Sequence, residues 1–182
     1  WRAGFDRIAS GEPSVPDPAS LYVNKPSTVD RSLAPEGHES LFILVPVAAN
    51  PAIGRGGIDG DGDAVVETAA DRAIAQIAAW CGIPDLADRI RIRRTIGPGD
   101  FAADLTTWSG TALGPAHTLR QSAPLRAGNV SKKVAGLLYA GDSPIPGIGM
   151  PMCLFSAELV IKRLRGDTST EPMPEPLQPS AR

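Results

Sequence analysis

Hydrophobic residues recur at helical spacing in two stretches and predict the two longest helices of the chain. The first helix is predicted from Ala64 to Cys81, where apolar positions follow one another at intervals of three and four residues: Val66, Ala70, Ile74, Ile77 and Cys81. Asp63 precedes this stretch as an N-cap residue, and Gly82 follows it as a stop. The second helix is predicted from Pro151 to Leu164, within the run MCLFSAELVIKRL.

Shorter apolar runs predict strands. The run ESLFILVPV, from Glu39 to Val47, is continuous and rich in β-branched residues, which is typical of a strand buried on both faces. Further strands are predicted in SLYVN at 20–24, in the alternating IRIRRTIG at 90–97 and in GLLY at 136–139. Short helices are predicted in WRAGFDRIASGE, PDLADR and PGDFAADLT. This order of elements indicates a mixed α/β fold.

Composition narrows the class of protein. The chain has 182 residues, 42% hydrophobic and 21% charged, and its 19 glycines and 18 prolines require many turns. A net charge of −2 gives no electrostatic basis for binding nucleic acid. Cys81 and Cys153 stand in apolar contexts, so we expect reduced core residues of a cytoplasmic protein rather than a disulfide or a metal pair.

The apolar runs of the chain and its two ends allow three further predictions. No run of about 18 apolar residues is present, so no membrane span is predicted. The first residues, WRAGFDRIAS, include no Met and lack the basic-then-apolar pattern of a signal peptide, and we expect the chain to be the later part of a longer protein. Residues 167–182 are rich in proline and poor in apolar side chains, which predicts a disordered tail.

Two motif-like features do not meet the requirements of a site. GRGGIDGDGD, at 54–63, has Asp59 where a dinucleotide loop of the form G-x-G-x-x-G needs its last glycine. Read as a calcium loop, it has Ala64 and Ala70 where Gly and Glu are required. We therefore interpret it as a solvated surface loop. Neither His38 nor His117 has a ligand-spaced partner, so no metal site is predicted.

Two segments near the end carry more information. GTALGPAHTLRQSAPLRAGN, at 110–129, alternates small residues with turn formers, and GLLYAGDSPIPGIGMP, at 136–151, places a lone acid between an apolar run and a helix. With LYVNKPSTVDRSLAPEGHESLFILVPV, at 21–47, these motifs resemble the C-terminal part of bacterial-type phytoene desaturases. Those proteins are FAD-dependent carotenoid desaturases of the amine-oxidase-like flavoprotein superfamily. The resemblance extends from Tyr22 to Asp167.

The resemblance implies a FAD site in the last turn before the final helix. Asp142 is the candidate acceptor for a ribityl hydroxyl, and Gly141 allows the backbone to approach the cofactor. Gly149, Met150 and Pro151 open the final helix, whose positive end suits the electron-rich edge of a reduced flavin. The weaker candidates for contact with substrate are, in the preceding loop, His117, Thr118 and Gln121. No catalytic residue is identified. The sequence departs from many relatives by having Ser-Pro-Ile-Pro-Gly at 143–147 in place of Ser-Thr-His-Pro-Gly.

The same resemblance predicts how the chain is divided. Residues 1–109 are expected to belong to a mixed-sheet substrate domain, 110–124 to a loop at the domain junction, and 125–166 to the last strand and helix of the FAD-binding domain. The phosphate-binding G-x-G-x-x-G segment of this family is not among these residues. We therefore expect that the chain alone does not hold FAD and acts with an N-terminal FAD-binding part.

The implied activity is desaturation of a carotenoid precursor such as phytoene, by hydride transfer to the flavin. A carotenoid isomerase or ketolase, another amine-oxidase-like flavoprotein and a non-catalytic truncated flavoprotein domain are the alternatives. The expected partners are the carotenoid and, through upstream regions, a membrane surface; nucleic acid is not expected. The expected location is cytoplasmic and peripheral to the membrane.

Overall fold

A computed structural model describes residues 2–116, 118–122 and 125–173. Contacts divide the chain into two compact units, Trp1–Ala112 and Leu113–Arg182. This boundary falls inside the predicted junction at 110–124. Helices and strands both occur, which confirms a mixed α/β chain. The assignment of the parts to substrate and FAD domains stays a prediction.

The first unit has, among its described residues, four α-helices and two strands. They are α1 (Arg2–Ser10), β1 (Tyr22–Asn24), β2 (Phe42–Leu44), α2 (Ala64–Cys81), α3 (Leu86–Arg89) and α4 (Pro98–Leu105). All four helices were predicted from the sequence within two residues at each described end. Short 3-10 turns connect them at Pro26–Thr28, Arg31–Leu33, Pro51–Ile53 and Trp108–Gly110.

β1 and β2 pair as a two-stranded antiparallel sheet, with Tyr22 opposite Leu44. The prediction that Glu39–Val47 is a strand buried on both faces is wrong, because β2 has three residues and Phe42 is 53% exposed. Burial on both faces requires a layer on each side of the sheet. The described residues cover the sheet only in part, so Ile43 is half-buried and the other apolar side chains of both strands are exposed.

The core of the first unit lies along α2. The buried apolar residues are Ala48, Ile53, Val66, Ala73 and Ile77, three of them on α2. α2 ends at Cys81 and is followed by Gly82, whose φ of 67° is the left-handed conformation expected of a stop. Asp63 occupies the N-cap position, but its carboxylate accepts a hydrogen bond from the backbone N–H of Arg55 (2.7 Å) instead of capping the helix.

The environment of the two cysteines differs from the prediction. Cys81 is exposed and Cys153 is only half-buried, and both are free thiols. Cys81 was predicted to lie in the core, but it is the last residue of α2 and lies beyond the buried part of that helix. Helical periodicity predicts which face a residue is on, but not how far along the helix the core extends.

The glycine-rich segment 54–63 has exposed side chains but a closely packed backbone, so its interpretation as a solvated loop is only half right. The N–H of Gly57 donates to Thr95 Oγ1 (2.8 Å). A Cβ built on Gly56 would lie 2.1 Å from the carbonyl oxygen of Thr95. The predicted strand at 90–97 is reduced to one bridge, between Ile58 and Arg94, because its neighbour is this loop and not a strand.

Asp100 anchors the same loop to α4. Its carboxylate accepts hydrogen bonds from the backbone N–H groups of Gly97 (2.8 Å) and Gly56 (2.7 Å) and from Nε of Arg55 (3.0 Å). Burial by itself raises the pKa of the Asp100 carboxyl, but these donors outweigh burial and hold that pKa below its ordinary value of 3.8.

A partly buried ion pair holds α2 to the segment that follows α3. Arg93 Nη2 lies 2.7 Å from a carboxylate oxygen of Glu67, whose side chain is 9% exposed. Arg93 also pairs with Asp71, and Thr95 donates its hydroxyl to Glu67. The buried carboxylate of Glu67 is therefore compensated by a cation and a hydroxyl.

The second unit contains α5 (Met150–Arg165), which was predicted, and a 3-10 turn at Leu119–Gln121. The predicted buried strand at 136–139 is wrong: a single bridge joins Val130 to Leu138, and Tyr139 is 44% exposed. A strand needs hydrogen bonds to a neighbouring strand along its length, and residues 128–131 form a single bridge with this segment.

The tail was predicted to be disordered from residue 167. Its first seven residues lie against α5, where Lys162 Nζ donates to the carbonyl of Ser169 (3.2 Å) and Glu158 accepts from the N–H of Met173 (2.9 Å). Residues 174–182 lie outside the described part. Among the described residues, no helix combines the length and the apolar character needed to cross a bilayer.

Candidate functional site in the loop before the last helix

The loop from 139 to 149 leads from the Leu138 bridge into α5. Three of its glycines have positive φ: Gly141 (123°), Gly147 (133°) and Gly149 (119°). Side chains at these positions would be strained, which explains the density of glycine in the motif. Gly149 is the N-cap of α5, and its carbonyl accepts the N–H of Cys153 at 2.9 Å.

Asp142 is the only acid in this loop, and it is half-buried. Its Oδ1 accepts a hydrogen bond from the hydroxyl of Ser143 at 3.0 Å. A Cβ built on Gly114 would lie 3.4 Å from the Asp142 carboxylate, so the backbone at Gly114 passes close beside it. An ionised carboxylate has several acceptor positions and can receive further hydrogen bonds from hydroxyl groups of a ligand.

The start of α5 is open to solvent. Met150 is 85% exposed, and Gly149 and Pro151 are also exposed. Pro151 lacks a backbone N–H, so of these three residues only Gly149 and Met150 can donate from the backbone. A proline at the first turn is compatible with the helix, because that N–H would have no partner within the helix. Pro151 can therefore contribute to the shape of the helix start, but it cannot donate a backbone hydrogen bond to a ligand.

A buried arginine holds the first half of the loop. Arg126 is 7% exposed, and its guanidinium donates only to backbone carbonyl groups among the described residues. The acceptors are the carbonyls of Gln121, Asp142, Ser143 and Pro144. A Cβ on Gly147 would lie 3.5 Å from Cζ of Arg126, which brings the second half of the loop against the same side chain.

A buried asparagine and a buried serine hold the two ends of the loop. Asn129 is 1% exposed, and its Nδ2 lies near the carbonyl oxygens of Tyr139 (2.9 Å) and Ile145 (3.2 Å) and near Ser156 Oγ (3.0 Å). Ser156, on α5, is 0% exposed and accepts the N–H of Gly141 at 3.2 Å. The loop is thus fixed to α5 through backbone atoms.

Sequence reasoning assigned no role to these three polar residues. Arg126 and Asn129 stand in the motif LRAGN, where spacing gives no sign of burial, and Ser156 stands on a helix that reads as apolar. Their burial could have been predicted from their location within otherwise apolar or glycine-rich runs. Buried polar groups need hydrogen-bond partners, so such residues are candidates for holding the backbone.

The weaker substrate candidates lie in the same unit. Thr118 precedes the 3-10 turn Leu119–Gln121, and both Thr118 and Gln121 are exposed. Gln121 is brought to the loop through its carbonyl, which Arg126 contacts at 3.4 Å. His117 lies outside the described residues. The roles of all the named site residues stay predictions.

Comparison with known proteins shows which class of protein the chain resembles. No protein-family model matches the chain. Curated proteins do match it, and carotenoid and phytoene desaturases are among them. The resemblance to phytoene desaturases is confirmed: the chain corresponds to part of a phytoene-desaturase-type protein.

Three relatives illustrate the match. The chain is 42% identical, over 92% of its length, to the carotenoid 3,4-desaturase of Haloarcula japonica. It is 36% identical, over 90% of its length, to the zeta-carotene-forming phytoene desaturase of Myxococcus xanthus. It is 30% identical, over 92% of its length, to a phytoene desaturase of Fusarium fujikuroi. The chain spans about a third of these relatives, between 30% and 32% of their length.

Proposed function

We propose that the chain is the C-terminal part of a FAD-dependent desaturase that acts on a carotenoid precursor such as phytoene. The observation that carries the proposal is the 42% identity to a carotenoid 3,4-desaturase over 92% of the chain. The geometry of the loop before α5 agrees with it. This loop offers an acid, two backbone donors and an exposed helix start within ten residues.

The residues of the loop fit the edge of a flavin. Asp142 would accept hydrogen bonds from ribityl hydroxyl groups, and Gly141 presents no side chain beside it. The N–H groups of Gly149 and Met150 would donate toward the ring, where the positive end of α5 stabilises negative charge. When bound, FAD supplies the hydride acceptor for a CH–CH desaturation. The chain's own part is to orient the cofactor and favour its reduced, negatively charged form.

The exposed apolar side chains of the first unit support a role toward a long apolar substrate. Tyr22, Val23, Phe42 and Leu44 are all at least 39% exposed on the small sheet. In a larger protein these side chains would pack against further strands or line one wall of a substrate channel. Residues 1–109 would then belong to the substrate domain, and the enzyme would lie in the cytoplasm against the membrane that holds its substrate.

The proposal is tested with a chimera of a relative. The chain replaces the aligned segment of the Haloarcula japonica desaturase, and the product is analysed by chromatography and visible absorption with the substrate of that relative. We expect a chimera that contains flavin and lengthens the conjugated system. Product with an unchanged number of double bonds would instead favour an isomerase, and a soluble, folded chimera without flavin or turnover would refute the proposal.

Two matched variants sharpen this test. Asp142→Asn keeps the shape of the side chain and removes its charge, so we expect weaker flavin binding, by about tenfold for one charge-assisted hydrogen bond. Asp167→Asn makes the same change outside the loop and should leave flavin binding unchanged. The 182-residue chain alone should purify without stoichiometric flavin, and flavin bound at one per chain would contradict the assignment of phosphate binding to another part of the protein.

A further inference from the structure

The environment of Arg126 is unusual for a buried cation. The side chain is 7% exposed, yet among the described residues it has no carboxylate within ion-pair distance. Buried charges in proteins are normally paired with an opposite charge. Here backbone carbonyl dipoles take that place, so the guanidinium is used to hold the main chain.

The acceptors of Arg126 lie on two separate segments. Nη1 donates to the carbonyl of Gln121 at 3.4 Å, at the end of the segment 118–122. Nε donates to the carbonyl of Ser143 at 3.1 Å, and Nη2 donates to the carbonyl of Asp142. The guanidinium is a planar group with its donors in fixed directions, so these contacts fix the distance and angle between the segments.

The backbone at Asp142 is therefore held from both sides. Arg126 holds its carbonyl, and Ser156 holds the N–H of the preceding Gly141 at 3.2 Å. Ser156 anchors the peptide group that precedes Gly141, and Arg126 anchors the one that follows Asp142. These anchors on either side of Gly141–Asp142 limit the direction of the Asp142 Cα–Cβ bond.

We propose that Arg126 is a positioning residue: its guanidinium ties the segment 118–122 to the loop 142–144 and so sets where the Asp142 carboxylate lies. The role toward flavin rests on the proposed function. The clamp between the two segments does not depend on it. Arg126 touches no reacting atom in this assignment and affects flavin binding only through the position of Asp142.

The clamp is tested on the 182-residue chain by hydrogen exchange with mass spectrometry. In Arg126→Met we expect exchange about tenfold faster at two hydrogen-bonded amides, those of Gln121 and Ile145, while exchange in α5 is unchanged. Arg163→Met, which alters an exposed arginine of α5, should change neither segment. Faster exchange in one segment only, in neither, or throughout α5 as well would overturn the clamp.

The positioning role is tested in the chimera by the dissociation constant of FAD. We expect Arg126→Met to weaken binding about tenfold and to change the visible circular dichroism of the bound flavin. In the double variant with Asp142→Asn, the loss should be no greater than that of Asp142→Asn alone, because Arg126 acts through that carboxylate.

The outcomes separate the two proposals. Unchanged FAD affinity in Arg126→Met, or losses that multiply in the double variant, would overturn the positioning role and leave the proposed function standing. A folded chimera that binds no flavin would overturn the proposed function, and the positioning role with it, whereas the exchange experiment would still decide whether the clamp exists.

Discussion

Replacing Asn129 should show how strongly the second unit depends on one buried amide. The Nδ2 group is within 3.2 Å of three acceptors, but it has two hydrogens to donate. Asn129→Ala thus removes the equivalent of two hydrogen bonds, about 1 kcal/mol each, and leaves a small cavity in a site that is 1% exposed. We expect the opening free energy of the second unit to fall by about 2 to 3 kcal/mol.

An isosteric variant separates hydrogen bonding from packing. Asn129→Asp keeps the volume of the side chain but places an acceptor against the carbonyls of Tyr139 and Ile145, and it buries a carboxyl group. We expect the opening free energy to fall by more than about 3 kcal/mol, which is a larger effect than that of Asn129→Ala. If packing were the dominant contribution, the order would be reversed.

The assay is the opening free energy from hydrogen exchange in peptides covering 138–149 and α5, measured near pH 7. Those peptides lie in the second unit, so the measurement follows the opening of amides in that unit. Gln121→Ala, at an exposed side chain, is the control and should change the opening free energy by less than about 0.5 kcal/mol. A loss below about 1 kcal/mol in Asn129→Ala, or a milder effect in Asn129→Asp, would refute the reasoning.

Three further predictions concern the first unit. The pKa of Asp100 is lowered in the folded chain, so its contribution to stability is present above the ordinary value of 3.8 and is lost as the pH falls through the folded value. Asp100→Asn should therefore make the free energy of unfolding less dependent on pH in the acid range, as measured by denaturant titrations. Arg93→Met leaves the carboxylate of Glu67 buried without its cation, and urea unfolding should show a loss of about 3 kcal/mol; a loss under 1 kcal/mol would contradict a structural ion pair. Gly56→Ala brings a methyl group to 2.1 Å from the carbonyl oxygen of Thr95, so the melting temperature should fall by several degrees; an unchanged value would show that the loop moves freely.

Helices were predictable in this chain because their signals are local. The spacing of apolar residues and the glycines that follow them defined α2 completely and placed α5 within one residue at each end. Strands depend on neighbours, and the sequence of one strand does not show whether a partner is present. The runs at 39–47 and 136–139 have the composition of buried strands, but the described residues give them only short pairings.

The specialised turn was predictable from the sequence, but the residues that hold it were not, and its role as a cofactor site stays a prediction. The glycines and the acid at 141–149 indicated a specialised turn, because closely spaced glycines permit positive φ and the lone carboxylate is visible in the sequence. The residues that hold the turn were not marked, because a buried hydrogen bond joins positions far apart in the chain. Asn129 and Ser156, 27 residues apart, illustrate this separation.

The way in which the loop is held has a consequence for variation among homologues. Arg126, Asn129 and Ser156 reach the turn through its peptide groups, not through the side chains of 142–146. Substitutions in the turn that preserve its glycines therefore leave the supporting bonds intact. Designed changes in Ser143-Pro144-Ile145-Pro146 can therefore alter what the turn presents to a ligand, whereas changes at the three supporting residues are expected to disturb its backbone.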